Sequence, residues 1–276
     1  STRVSGLQSG EYDMAVRLPI DQYSLFKENK DFNVMKEDVG DIFLDYNKKE
    51  GIAVNPKFRQ AVNAVLNSDD ILTAAVADKE FYRLTSSYVQ MPKNMWYSET
   101  GTDWYNQHNA DHAKELLKEA NYQGEPFRIL VSSSYQEFYN SAVVIKQELN
   151  NIGVNADLIV VDWGTFLGTR RDSSKYDAFI TGVPIAVVPN QILYLSSTWD
   201  GWSNDPHLQD TLKQISESTD QKEAAALWNS LQKYCWEEYL PISKFGDYYT
   251  LDASSSKVQG MDFFEGPHMW NLTVEE

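Results

Sequence analysis

Residues 127–182 read FRILVSSSYQEFYNSAVVIKQELNNIGVNADLIVVDWGTFLGTRRDSSKYDAFITG, an uninterrupted strand–helix–strand–helix–strand run. Phe127 to Val131 is apolar and bounded by Pro126 and a serine cluster, the pattern of a buried strand, and Asp157 to Val161 repeats it. Between them Phe138, Ala142, Ile145 and Leu149 recur at helical spacing. Gly153 follows where a helix C-terminus needs a positive φ angle. Two parallel strands joined by one helix make the chain α/β in kind, with its ligand crevice expected beyond the carboxyl ends of the strands.

The 276 residues exceed the usual size of one domain, and an apolar fraction of 42% supplies a sizeable core. No apolar run reaches the length of a membrane span. A net charge of −16 argues against nucleic-acid and anionic-membrane partners, which want clustered Lys and Arg. Cys235 is the single cysteine, so an internal disulfide and a thiolate cluster are excluded; its helical setting predicts burial as a small hydrophobe. His108 and His112 stand four apart, but Asn109 reads as a helix N-cap that leaves His108 outside, and a third ligand is missing. We therefore expect no metal and no cofactor. Phosphate-loop, G-x-S-x-G and H-E-x-x-H signatures are all lacking, which argues against an enzyme.

The order of motifs resembles the extracellular solute-binding proteins of the oligopeptide, dipeptide and nickel ABC transporter class (family 5). The resemblance is carried by Leu149, Ile152, Gly153, Val154 and Leu158, by Val161, Asp162, Trp163, Phe166 and Leu167, and by Lys175, Tyr176, Asp177 and Ala178. Leu7 to Phe26, Asn55 to Leu72 and Gly201 to Thr250 supply further anchors in the family's order. It implies a periplasmic-binding-protein-like α/β lobe (type II, large class) with a partial first lobe. Residues 1–45 would be a first-lobe remnant, 46–241 the second α/β lobe, and 242–276 the hinge strand and return to the first lobe. Family members are about twice as long, with a long N-terminal section building most of the first lobe. The implied function is capture of a solute, an oligopeptide or peptide-like molecule, between two lobes for delivery to the membrane permease of an ABC importer. The implied protein is monomeric and extracytoplasmic, as a surface lipoprotein or in the periplasm. Oligosaccharide transport stays open, as do a hydrolase, for which paired catalytic carboxylates are not identifiable, and a sensing module on the same fold.

The remaining sections follow from punctuation. Strands are expected near Tyr12 to Val16, Asn33 to Lys36 and Ile42 to Tyr46, and Asn55 caps a helix with Pro56 at its first position. Phe245 to Leu251 should return as a strand. Residues 80–108 lack periodicity and read as long surface loops, whose Tyr82, Tyr88, Trp96, Tyr97, Trp104 and Tyr105 stack on a ligand or pin the loop down.

The loop after Phe179–Gly182 should face the crevice. Peptide-binding relatives carry G-W-x-x-D there, the Asp neutralising the ligand's ammonium group. Here the candidate binding residues are Gly182, Val183, Pro184, Ile185, Ala186 and Asn190, with Val183 at the Trp position and Ala186 at the Asp position. Without that acid the usual capture of a peptide N-terminus loses its charge partner. Arg170 and Arg171 are further candidates: one matches a cleft arginine of some relatives and could hold a carboxylate or phosphate, while a solvated helix end explains both equally.

Overall fold

The computed structural model describes residues 2–263 and 267–275; Ser1, residues 264–266 and Glu276, which the boundaries 1–45 and 242–276 include, lie outside the described residues. In chain order the main elements are α1 (Thr2–Ser9), β1 (Met14–Leu18), α2 (Tyr23–Lys27), β2 (Phe32–Tyr46), α3 (Pro56–Val65), α4 (Ser68–Val76), β3 (Tyr82–Arg83) and α5 (Ala110–Glu119). There follow β4 (Phe127–Ser132), α6 (Gln136–Asn151), β5 (Ala156–Val161), α7 (Trp163–Thr169), β6 (Ala178–Val183), α8 (Pro206–Glu217), α9 (Gln221–Tyr234) and β7 (Ile242–Ser255). Helix starts sit where the caps stand: Asn55, Asn109 and Asp162 accept from the backbone N–H groups of Lys57, His112 and Thr165 at 2.9, 3.0 and 3.1 Å. Gly153 turns the chain out of α6 with φ 92°.

One sheet runs in the order β1-β7-β2-β6-β4-β5, with β3 added to β7. β4 is parallel to β5 and to β6, whereas β2 is antiparallel to both β6 and β7. β5 lies on one side of β4 and β6 on the other, so two right-handed crossovers place α6 and α7 on opposite faces. The packing follows from strand alternation. Ile129 and Val131 of β4 join the large core that contains Phe138, Ala142, Ile145 and Leu149 of α6. Leu130 and Phe179 turn the other way, onto Phe166 of α7 and Tyr176.

The strands expected at Asn33–Lys36 and Ile42–Tyr46 are a single 15-residue strand, β2, and the strand expected at Phe245–Leu251 extends to the 14 residues of β7. The two pair from Phe32↔Ser255 to Asp45↔Ile242. The ladder slips between Asp38 and Gly40 and again between Ile42 and Phe43, and these bulges keep one strand continuous through a change of direction. Gly40 has φ 127°, and a Cβ there would stand 1.8 Å from the carbonyl oxygen of Val183.

Within residues 80–108, read as surface loops, the stretch 85–90 is buried instead, whereas residues 91–108 are, apart from Ser98, exposed or half-buried as loops are. Tyr88 stacks on Trp236 at 5.3 Å, and the Tyr105 hydroxyl donates to the Phe245 carbonyl at 2.6 Å. The segment has no periodicity because its backbone is satisfied by single side chains instead of a ladder. The Tyr88 N–H donates to the Gln232 side chain, whose amide nitrogen donates to the Ser98 and Thr100 carbonyls. Cys235 is buried, and burial pushes its thiol well above the ordinary range.

Candidate functional site

A cavity of about 770 Å³ opens at the carboxyl ends of β4, β5 and β6, within the size range of small-ligand sites. Tyr135 follows β4, Trp163 follows β5, and Gly182, Val183 and Pro184 end β6; across the sheet Val39 comes from β2, Tyr248 to Thr250 from β7, and Arg17 and Leu18 from β1. The crossover geometry dictates the position: because α6 and α7 lie on opposite faces, their first turns part at β4 and leave the strand ends uncovered.

The turns that enter α6 and α7 are tied together. The Ser134 hydroxyl oxygen accepts from the Trp163 N–H at 3.1 Å, and Ser132 Oγ accepts from the Ser134 N–H at 3.2 Å. Tyr135 meets Trp163 edge-on with ring centroids 4.8 Å apart, and Trp163 stacks on Phe166 at 5.1 Å. An aromatic wall is thereby fixed at one end of the cavity. At Gly182 an added Cβ would come within 2.6 Å of the Asp41 carbonyl oxygen and 3.3 Å of the Phe138 ring, so glycine is what lets β6, β2 and α6 converge there.

Among the sequence-derived candidates, Gly182, Val183 and Pro184 line the cavity, whereas Ile185, Ala186, Asn190, Arg170 and Arg171 are not on its wall. Ala186 is buried, its N–H donating to the Gln90 side chain at 2.8 Å. Asn190 is exposed and Ile185 half-buried. Arg170 pairs with Asp200 at 2.6 Å and lies 4.3 Å over the Trp199 ring, against the α7 side of the sheet; Arg171 is exposed. Sequence reasoning missed Arg17, Glu137 and Tyr248, which line the cavity. Their separation along the chain leaves no motif to find.

Beside the cavity, where β2 and β7 bulge, lies a buried charge cluster. Lys244 Nζ stands 2.8 Å from Asp247 Oδ1 and 3.8 Å from Asp41 Oδ2, and it donates to the Ser87 carbonyl; Arg83 closes on the other oxygen of Asp247. The Tyr194 hydroxyl donates to Asp41 Oδ2 at 3.3 Å, and Asp41 Oδ1 has no hydrogen-bond partner among the described residues. Burial pushes the Asp41 carboxyl up to about 7, Lys244 opposing the rise and Asp247 adding to it. Asp38, at the edge of the cluster, is raised to about 6, first by burial and then by Asp247. Among the described residues no group of three or more His, Cys, Asp or Glu is placed to hold a metal, and no helix is long and apolar enough to cross a membrane.

The family model for bacterial extracellular solute-binding proteins, family 5 (middle), matches residues 1–204. The chain belongs to this family. It is 29% identical, over 98% of its own length and 53% of the relative's, to a protein of Sinorhizobium fredii named "Probable peptide ABC transporter periplasmic-binding protein". It is 25% identical to the glutathione-binding protein GsiB of Escherichia coli, over 88% of this chain and 50% of that one. The chain thus spans about half the length of the curated relatives it matches. Among solved structures, the ABC transporter substrate-binding protein CtaP of Listeria monocytogenes aligns with a TM-score of 0.85 at 18% identity, covering 99% of this chain and 58% of that one. A dipeptide-binding protein of Pseudoalteromonas, solved with Met-Leu, aligns at 0.81 and 21% identity, over 99% and 56%. The α/β binding-protein fold that the motifs imply is therefore the fold of this chain.

Proposed function

We propose that this family 5 chain is part of the solute-binding component of an ABC importer and that its cavity receives a peptide or peptide-like solute. The observation that carries the reading is the cavity itself: its volume suits a short peptide, and it lies at the strand ends where α/β sheets take ligands. The relatives' names add weight to a peptide over a sugar. In this reading residues 1–45 and 242–276 belong to a first lobe and residues 46–241 to a second. β2 and β7 are the two strands that cross between them, and bending at their bulges closes the lobes on the solute. Binding is non-covalent, the protein works outside the cytoplasmic membrane as a monomer, and the partner that receives the solute is a membrane permease. Gly182, Val183 and Pro184 present backbone to the ligand.

A thermal-shift screen of the intact protein against di-, tri- and tetrapeptides and neutral oligosaccharides, with calorimetry on the hits, tests this. Peptides should raise the melting temperature and bind one to one. Stabilisation by oligosaccharides alone would overturn the peptide reading.

A further inference from the structure

Three charged side chains line the cavity, Arg17, Asp21 and Glu137. None of them has an ion pair or a side-chain hydrogen bond among the described residues. Nearby charges behave otherwise: Arg83 is held by Asp247, Lys244 by Asp247 and Asp41, and Arg170 by Asp200. The unengaged charges are also segregated. Arg17 comes from β1 and Asp21 stands four residues on, in the turn that follows, whereas Glu137 comes from the first turn of α6, beyond β6 in the sheet order. Both Glu137 and Arg17 act on the same half-buried phenol: with burial the larger cause, Glu137 raises and Arg17 lowers the pKa of Tyr248 on β7, and the balance lies above the ordinary range.

We propose that Arg17 and Glu137 are the two ends of a charge clamp that selects a zwitterionic ligand, its carboxylate on Arg17 and its ammonium on Glu137, laid across Tyr248. The inference rests on the reading of the cavity as the solute site and names what that site selects. An acid in a first helical turn complements the helix dipole, which accounts for Glu137 as a helix residue but not for an unpaired arginine on the far wall of the same cavity. The aromatic pair Tyr135 and Trp163, two residues before Glu137 and beside it on the wall, gives an ammonium group ring faces as well as a carboxylate. Arg17 suits the other end because a guanidinium can meet a carboxylate through two parallel hydrogen bonds. Its backbone is fixed for the task, with φ 50° and its N–H donating to Asp252 Oδ1 at 2.5 Å. Glu137 thereby takes over the ligand ammonium that the cleft loop, with Ala186 buried against Gln90, does not meet.

The test couples side-chain changes to ligand changes, by calorimetry on the intact protein with peptide hits from the screen and their N-acetylated and C-amidated forms. Because both residues are solvent-accessible, N-acetylation should weaken binding by roughly tenfold, short of the factor a buried pair gives. In Glu137→Gln that penalty should fall below about twofold, while the C-amidation penalty stays; in Arg17→Gln the reverse should hold. Urea melts of both variants check that folding is unchanged. An N-acetylation penalty that persists in Glu137→Gln, or that vanishes in Asp21→Asn instead, overturns the clamp and leaves the peptide reading standing. If no peptide binds and an oligosaccharide does, both fall.

Discussion

Replacing Asp41 with Asn should flatten the protein's loss of stability with rising pH. Asp41 is fully buried, and its carboxyl is raised to about 7 by burial, with Asp247 adding and Lys244 opposing. An acid whose folded pKa lies above its unfolded value near 4 keeps a proton that the unfolded chain has already released. Its contribution is therefore greatest in mild acid and is lost as pH rises from about 4 to about 7. Integrating the two titrations gives about 3 kcal/mol in favour of the folded state at about pH 5 and almost nothing at about pH 8. Asn keeps an acceptor for the Tyr194 hydroxyl and leaves the pairs of Asp247 with Lys244 and Arg83 intact. Denaturant melts between about pH 5 and pH 8 should thus show the wild type losing roughly 2–3 kcal/mol more than Asp41→Asn. Asp38, Asp45 and Asp252, also raised chiefly by burial, will leave the variant some slope of its own, so the difference between the proteins is the quantity to read. Parallel stability–pH curves for the two would refute the assignment of that proton to Asp41.

Gly40→Ala should cost about 2 kcal/mol or more, since it places a Cβ on the Val183 carbonyl at a φ that other residues rarely adopt; a melt within a few tenths of wild type would show that the β2 bulge relaxes freely. Arg59→Met should cost about 3 kcal/mol by denaturant melt, because the buried guanidinium donates to the carbonyls of Ala53, Val54, Tyr239 and Leu240, which the variant leaves unpaired. Arg170→Lys should lose about 1–2 kcal/mol of stability through the Asp200 and Trp199 contacts and change peptide affinity less than about twofold. A large affinity loss at unchanged stability would bring Arg170 back to the ligand.

What could be read from residue order is what periodicity and caps encode. The β4–α6–β5–α7–β6 run is local: each strand is an apolar block, and Gly153 and Asp162 punctuate it within a few positions of its neighbours. That Gly182 to Pro184 line the cavity was legible from topology alone, because a parallel sheet determines which strand ends stay uncovered. Long-range pairing was not legible. Arg170 reads the same whether it faces a cleft or Asp200, thirty residues on, and only the fold decides between them. Asp41, Asp45, Lys244 and Asp247 interrupt apolar strands in the manner of solvent-facing positions, yet all four are buried, since the β2–β7 ribbon is covered on both faces from Gly40 to Tyr46 and from Ile242 to Asp247. The aromatic residues of 80–108 gave no period because they fill gaps singly, as Tyr88 does between Tyr194 and Trp236.

The β2–β7 ladder also dictates the order in which the molecule can assemble. β4, β5 and β6 find one another within a short stretch of chain and can condense early, but Asp41 and its partner Asp247 are roughly 200 residues apart. Until β7 arrives, β2 has one bare edge, and it carries the apolar stretch Ile42 to Leu44. A growing or refolding chain must therefore hold an unpaired, adhesive strand until β7 is made, and the closing of one late ladder commits the whole sheet at once. Slow refolding, with aggregation that rises steeply with protein concentration, is the behaviour such an arrangement dictates.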